Sequence, residues 1–153
     1  MSQTTNKSKS DVVEALRLDH QLCFALYGAA NRVTRLYRPL LDALGLTYPQ
    51  YLAMLVLWEA SPRTVGALGA ALDLESSTLT PLLKRLETQG LIARTRDPQD
   101  ERRVIIALTD AGLALRERAR TVPEKILCQL ELPLSDLGDL RSRLKALAVQ
   151  TRD

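Results

Sequence analysis

At 153 residues the chain suits one domain with helical extensions, and its 46% hydrophobic content supports a substantial core, which argues against disorder. Its formal charge of +3 favours nucleic acid only mildly, since residues 84–103 carry six bases against four acids. No apolar run reaches membrane-spanning length and the start MSQTTNKSKS lacks an apolar signal core, so a cytoplasmic location with no membrane partner is expected.

The first ten residues read as a polar, flexible tail, and residues 11–153 as a single domain. From about Asp19 to Leu44 the residues Cys23, Leu26, Ala30, Val33, Tyr37, Leu40 and Leu44 recur at steps of three and four, and Gly45 ends the run. That stripe predicts a helix offering a seam to another helix. In TYPQ, Thr47 and Gln50 have capping-box spacing and Pro49 fits an opening turn, so Tyr48 is expected at a fixed helix start.

Thr64 suits the cap of a short helix through Leu72, rich in small residues that allow close packing beneath the next helix. Leu79, Leu82, Leu83 and Leu86 then define one buried face, Ser76 is the expected cap, and Gly90 ends the helix. Pro81 forfeits one hydrogen bond in the second turn. Ser76, Ser77, Thr78 and Thr80 are short hydroxyl residues able to approach base edges, while Lys84 and Arg85 can reach phosphate.

Residues 91–96 and 104–108 are strand-forming runs, and Asp97-Pro98 suits a type I turn between them. The tip concentrates Asp100, Glu101, Arg102 and Arg103. An arginine there can enter a minor groove or grip phosphate, with a neighbouring carboxylate fixing its rotamer. The order helix, turn, helix, hairpin over residues 47–109 is that of a winged helix-turn-helix.

A helix beginning near Thr109 follows, then KILCQLELPL, where Pro123 and Pro133 are expected to loosen regular structure around Cys128. Ser135 is the expected cap of a last helix with Leu137, Leu140, Leu144 and Leu147 on one face. Apolar stripes within residues 11–45 and 110–153 suggest dimerisation helices. A two-fold dimer would present two reading helices about 34 Å apart. The fold class is therefore mainly α with a small β-hairpin wing.

Two cysteines and one histidine without paired ligand spacing argue against a metal site, and no phosphate-binding glycine loop or dinucleotide fingerprint implies a cofactor. His20 lacks a nucleophile motif, so an enzyme is not expected. Cys23 has two readings: a small buried hydrophobe, or a thiolate stabilised by phenol donors and able to attack peroxide. Tyr27 shares its face four residues on. Tyr37 stands fourteen residues beyond Cys23, about 21 Å along a straight helix, so it reaches the sulfur only if the helix bends or from another subunit. Cys128 is either an unrelated thiol or one that condenses with a sulfenic acid at Cys23.

The stretches LDHQLCFALY, LTYPQYLAMLVLWE, LTPLLKRLETQGLIAR and DERRVIIALTDAG resemble the organic hydroperoxide resistance regulators, OhrR, within the MarR family, over nearly the whole chain after the tail. The resemblance implies a homodimeric repressor that binds double-stranded operator DNA when reduced and releases it when organic hydroperoxide oxidises Cys23. It makes Tyr27, Tyr37 and Tyr48 thiol-polarising, and Cys128 similar to the resolving thiol supplied by the partner in a two-cysteine subgroup. It carries DNA contact to Ser76, Thr78, Lys84 and Arg85 on the reading helix and to Asp100 and Arg102 on the wing. Glu75 replaces the usual aspartate before that helix, and His20 the usual asparagine before Cys23. A thiol peroxidase, or a MarR-type repressor responding to a small aromatic ligand at the dimer seam, are the alternative readings.

Overall fold

The computed structural model describes residues 14–150. They divide into a unit ending at Leu36 and a unit beginning at Tyr37. The tail expected at 1–10, and residues 11–13 of the first predicted helical region, lie outside the described residues.

In the first unit a 3-10 turn, Leu18–His20, precedes helix α1, Leu22–Asp42. The helix begins three residues later than the expected Asp19. Gln21 is extended between turn and helix, and its side-chain amide donates to the Ala15 and Arg17 carbonyls at 2.7 and 3.0 Å. The Asp19 carboxylate is drawn to Arg17 at 3.0 Å, which holds its own carboxyl below the usual range.

Helix α1 ends within the second unit, short of the expected Leu44. Gly45 adopts a left-handed φ of 69°, and the Leu46 N–H donates to the Leu41 carbonyl at 3.0 Å. Helix α2, Tyr48–Glu59, opens with the expected capping box: Thr47 Oγ1 accepts from the Gln50 N–H, and Gln50 Oε1 accepts from the Thr47 N–H at 2.8 Å. Tyr51, Ala53, Met54, Leu57 and Trp58 are buried around it, so α2 is the central helix of its unit rather than a surface one.

Strand β1, Arg63–Thr64, leads into α3, Val65–Leu72, where Thr64 caps by accepting from the Ala67 N–H at 3.1 Å. Gly69 permits the tight turn to α4, Ser76–Thr88, because a Cβ there would meet the Leu74 carbonyl oxygen at 2.8 Å. The N-cap of α4 is Glu75 rather than Ser76, and its side chain makes no capping bond. Leu79, Leu82, Leu83 and Leu86 are buried as expected. Gly90, with φ 73°, and a Leu91 N–H to Leu86 carbonyl bond of 3.0 Å close the helix.

Strands β2, Ile92–Arg96, and β3, Val104–Leu108, form the expected antiparallel hairpin. β1 joins it, giving the order β1-β3-β2 with Arg63 opposite Ile106. Ile92 and Ile106 face the core.

Thr109 caps α5, Asp110–Ala119, by accepting from the Gly112 N–H at 3.1 Å. Cys128 lies in a regular helix, α6, Val122–Leu130, and not in a loosened segment. Pro123 occupies the first turn of that helix, where a missing N–H removes no intrahelical bond. Helix α7, Leu134–Gln150, already contains Ser135, so that residue is not its cap, and the Ser135 hydroxyl instead donates to Asp136 Oδ1 at 3.2 Å. Among the described residues no helix is long and apolar enough to cross a membrane.

Candidate functional site

The second unit presents α4 with its leucines inward and Ser76, Ser77, Thr78, Lys84 and Arg85 exposed. A helix held this way offers its first turns and one basic face to a groove. Its far end is tied to neighbouring elements. Gln89 donates to the Gly45 carbonyl at 2.8 Å, and Glu87 faces Arg94 of β2 at 3.6 Å, so α4 and the base of the hairpin are joined by an ion pair.

At the wing tip the Asp100 N–H donates to the Asp97 carbonyl at 3.3 Å, closing the expected turn. Asp100 Oδ1 accepts from the backbone N–H of Arg102 at 3.1 Å. The carboxylate therefore fixes the backbone that carries Arg102 rather than the guanidinium, which leaves the exposed arginine side chain available to a phosphate or groove.

The second feature is aromatic. Tyr37, near the end of α1, and Tyr48, the first residue of α2, have ring centroids 4.9 Å apart, and Tyr51 lies 5.9 Å from Tyr37. The capping box at Thr47 sets the start of α2 and hence the position of Tyr48. Burial raises the pKa of all three phenols; the charge of Tyr48 adds to the effect at Tyr37, and Tyr51, pressed by burial and then by Tyr37 and Tyr48, is pushed up to about 12. They hold their protons and remain O–H donors well above neutrality.

An expected consequence concerns alkaline stability. The unfolded phenols lose protons near pH 10 while the folded ones retain them, so stability is complete below pH 10 and falls as pH rises toward 12. Tyr51, whose phenol is pushed up to about 12, is expected to contribute most to that decline. Chemical denaturation as a function of pH measures it. In Tyr51→Phe the decline becomes shallower; an equally steep decline would show that other groups cause it.

The first unit carries Cys23 in the opening turn of α1, with Tyr27 one turn on; both are exposed. Within the described chain the Cys23 thiol is therefore open to solvent. His20 Nε2 lies 3.6 Å from a Glu14 carboxylate oxygen, with both side chains open to solvent. Cys128 is exposed on α6 beside Thr121, Glu124, Lys125 and Gln129.

A family model for the transcriptional regulators SarA/Rot matches residues 35–118. The organic hydroperoxide resistance transcriptional regulator of Bacillus subtilis (strain 168) is 49% identical over 132 residues, covering 86% of this chain and 90% of that relative. The chain belongs to the organic hydroperoxide resistance regulators of the MarR family. Among solved structures of such regulators, reduced AbfR bound to DNA is 38% identical with a TM-score of 0.76, over 93% of this chain and 99% of that one. Disulfide-formed AbfR is 40% identical with a TM-score of 0.62, over 92% and 99%. The regulator therefore has a MarR-like winged-helix fold, and its family regulates transcription rather than catalysing a reaction.

Tyr51, a phenol of the sequence three residues beyond Tyr48, joins the Tyr37–Tyr48 pair. Two features of the regulator escaped the sequence for want of a local signal. The Arg94–Glu87 pair at the wing base had none, because the partners lie on different elements. The same holds for the Trp58 indole N–H, which donates to the Gly112 carbonyl at 2.9 Å across 54 positions.

Proposed function

We propose that this chain is a peroxide-sensing repressor that binds operator DNA as a reduced homodimer and leaves it when Cys23 is oxidised. The observation that carries this reading is the close Tyr37–Tyr48 pair, ring centroids 4.9 Å apart and planes tilted by 57°, in a chain whose Cys23 and Tyr27 stand exposed on the opening turns of α1. Phenols that keep their protons are the donors a thiolate needs. Tyr37 is too far along α1 to serve its own Cys23 on a straight helix, so the partner subunit supplies the pair.

The dimer seam is supported by apolar side chains left uncovered in the single chain. Leu22, Phe24 and Tyr27 are exposed on α1, and Leu134, Leu140, Leu144 and Val149 on α7. Apolar side chains uncovered on both terminal regions call for a partner helix. Ser76, Thr78, Lys84 and Arg85 would read the major groove, and Arg102, on the turn shaped by Asp100, the adjacent minor groove or phosphate.

The chemistry balances in two steps. The Cys23 thiolate attacks the terminal peroxide oxygen; the O–O bond breaks, sulfur keeps the hydroxyl as sulfenic acid, and the departing alkoxide takes a proton from water to leave as the alcohol. The Cys128 thiol of the partner then attacks that sulfur, forming the S–S bond and releasing water. Replacing two thiols by one bridge alters a packed seam and moves the two winged modules out of register.

Non-reducing electrophoresis after treatment with an organic hydroperoxide tests the reading. A dimer-sized band is expected in the native protein and absent in both Cys23→Ser and Cys128→Ser. A monomer-sized product in all three would contradict it.

A further inference from the structure

We infer that Tyr51 and Trp58 are positioning residues that transmit the state of the sensing phenols to the DNA-reading module through the backbone of Gly112. The inference rests on the reading of Cys23 as the sensor. Tyr51 and Trp58 are buried on α2, their rings meeting edge-on with centroids 6.4 Å apart. Tyr51 also packs on Tyr37, 5.9 Å away, and Tyr37 on Tyr48. A continuous aromatic row thus runs from the two phenols assigned to the sulfur to the indole.

Beyond the indole the row becomes backbone. The Trp58 Nε1–H donates to the Gly112 carbonyl at 2.9 Å in a buried hydrogen bond. Gly112, in the first turn of α5, sits so close to Leu91 that a Cβ would overlap the Leu91 carbonyl oxygen. That oxygen also accepts from the Thr109 N–H at 3.2 Å, while the Leu91 N–H donates to Leu86, in the last turn of the reading helix. Leu91 is the last of the three residues between α4 and β2 of the wing. A shift of Trp58 therefore presses on the junction that sets the angle between reading helix and wing, with no slack to absorb it. Close-packed interiors transmit such displacements rather than damp them.

Spatial continuity alone does not establish coupling, which must be measured as a difference between two states. Trp58 is the sole tryptophan of the chain, so its fluorescence reports directly on the row. In DNA-free native protein, one equivalent of cumene hydroperoxide per site is expected to shift the emission maximum, and in Cys23→Ser it is not. Trp58→Phe keeps a ring and removes the donor. Its Cys23 is expected to oxidise at the native rate, and its reduced form to bind a duplex selected from random sequence by the reduced native protein. The ratio of oxidised to reduced dissociation constants should fall by about fivefold or more. A purely structural role would weaken both forms alike and leave that ratio unchanged.

An unmoved emission in native protein that does release DNA overturns the inference, as does a folded Trp58→Phe with the native ratio. Should Trp58→Phe fail to fold, the emission result decides. If native protein keeps the duplex after oxidation, or Cys23→Ser releases it, the sensing reading itself fails and this inference with it.

Discussion

Cys23→Ser is expected to bind the operator as the native protein does and to remain bound in organic hydroperoxide, whereas the native protein loses about 100- to 10,000-fold in affinity. The size of the loss follows from bivalency. Each winged module alone holds one half-site, and the dimer converts the second contact into an intramolecular event. A displacement that prevents both modules from docking together removes that gain without touching Ser76, Thr78, Lys84 or Arg85. Serine leaves a hydroxyl of similar size on α1 that peroxide does not oxidise, so the fold and the DNA face are preserved. Electrophoretic titration of both proteins with and without oxidant measures the effect, and equal release from Cys23→Ser would remove the sensing assignment.

Leu79→Ala is expected to have the largest effect on stability. Leu79 is fully buried, at 0% exposure, on the face of α4 that packs beside Gly69 of α3. Truncation leaves a cavity between two helices held apart by their own backbones, and such changes cost about 2–5 kcal/mol. Against a total stability of roughly 5–15 kcal/mol, that is enough to populate unfolded protein under mild stress. Urea unfolding is expected to show a lower midpoint with an unchanged slope. A midpoint unaltered by the substitution would mean that α4 is not anchored through this leucine. On the proposed reading of α4 as the helix that enters the groove, weaker operator binding should accompany the loss.

The winged module was legible in the sequence because its signals are local. Leu79, Leu82, Leu83 and Leu86 repeat at helical spacing, Thr64 and Thr47 supply capping hydroxyls, Gly90 offers the left-handed residue, and Asp97-Pro98 starts a turn. Each of those devices acts within a few residues, so spacing alone exposes it. The cap of α4 was misplaced by one residue because Ser76 is the better capping side chain, yet Glu75 carries the extended backbone. β1 was invisible: two residues, one of them already acting as a helix cap, leave no alternation to detect. Pro123 reads as a breaker until its place in the helix is known, although Thr121 and Glu124, three residues apart, mark a helix start at α6.

Parts of the candidate site depend on contacts between distant segments and were hidden for that reason. The hydroxyls and bases of α4 could be placed on its outer face from the leucine period. The clustering of Tyr37 with Tyr48 and Tyr51 depends on how the turn at Gly45 folds α2 back, and the Trp58–Gly112 bond on how α5 returns beneath the wing. The wing illustrates both cases. Its turn followed from Asp97-Pro98, but the role of Asp100 as a backbone acceptor for Arg102 required the three-dimensional turn.

The affinity of the fully bridged Cys23–Cys128 dimer for a duplex selected by the reduced protein is the direct measurement of the switch. Fluorescence anisotropy at fixed salt is expected to give a dissociation constant at least about 100-fold weaker than that of the reduced dimer, restored on reduction with dithiothreitol. Equal affinity of the bridged and reduced forms would contradict the account.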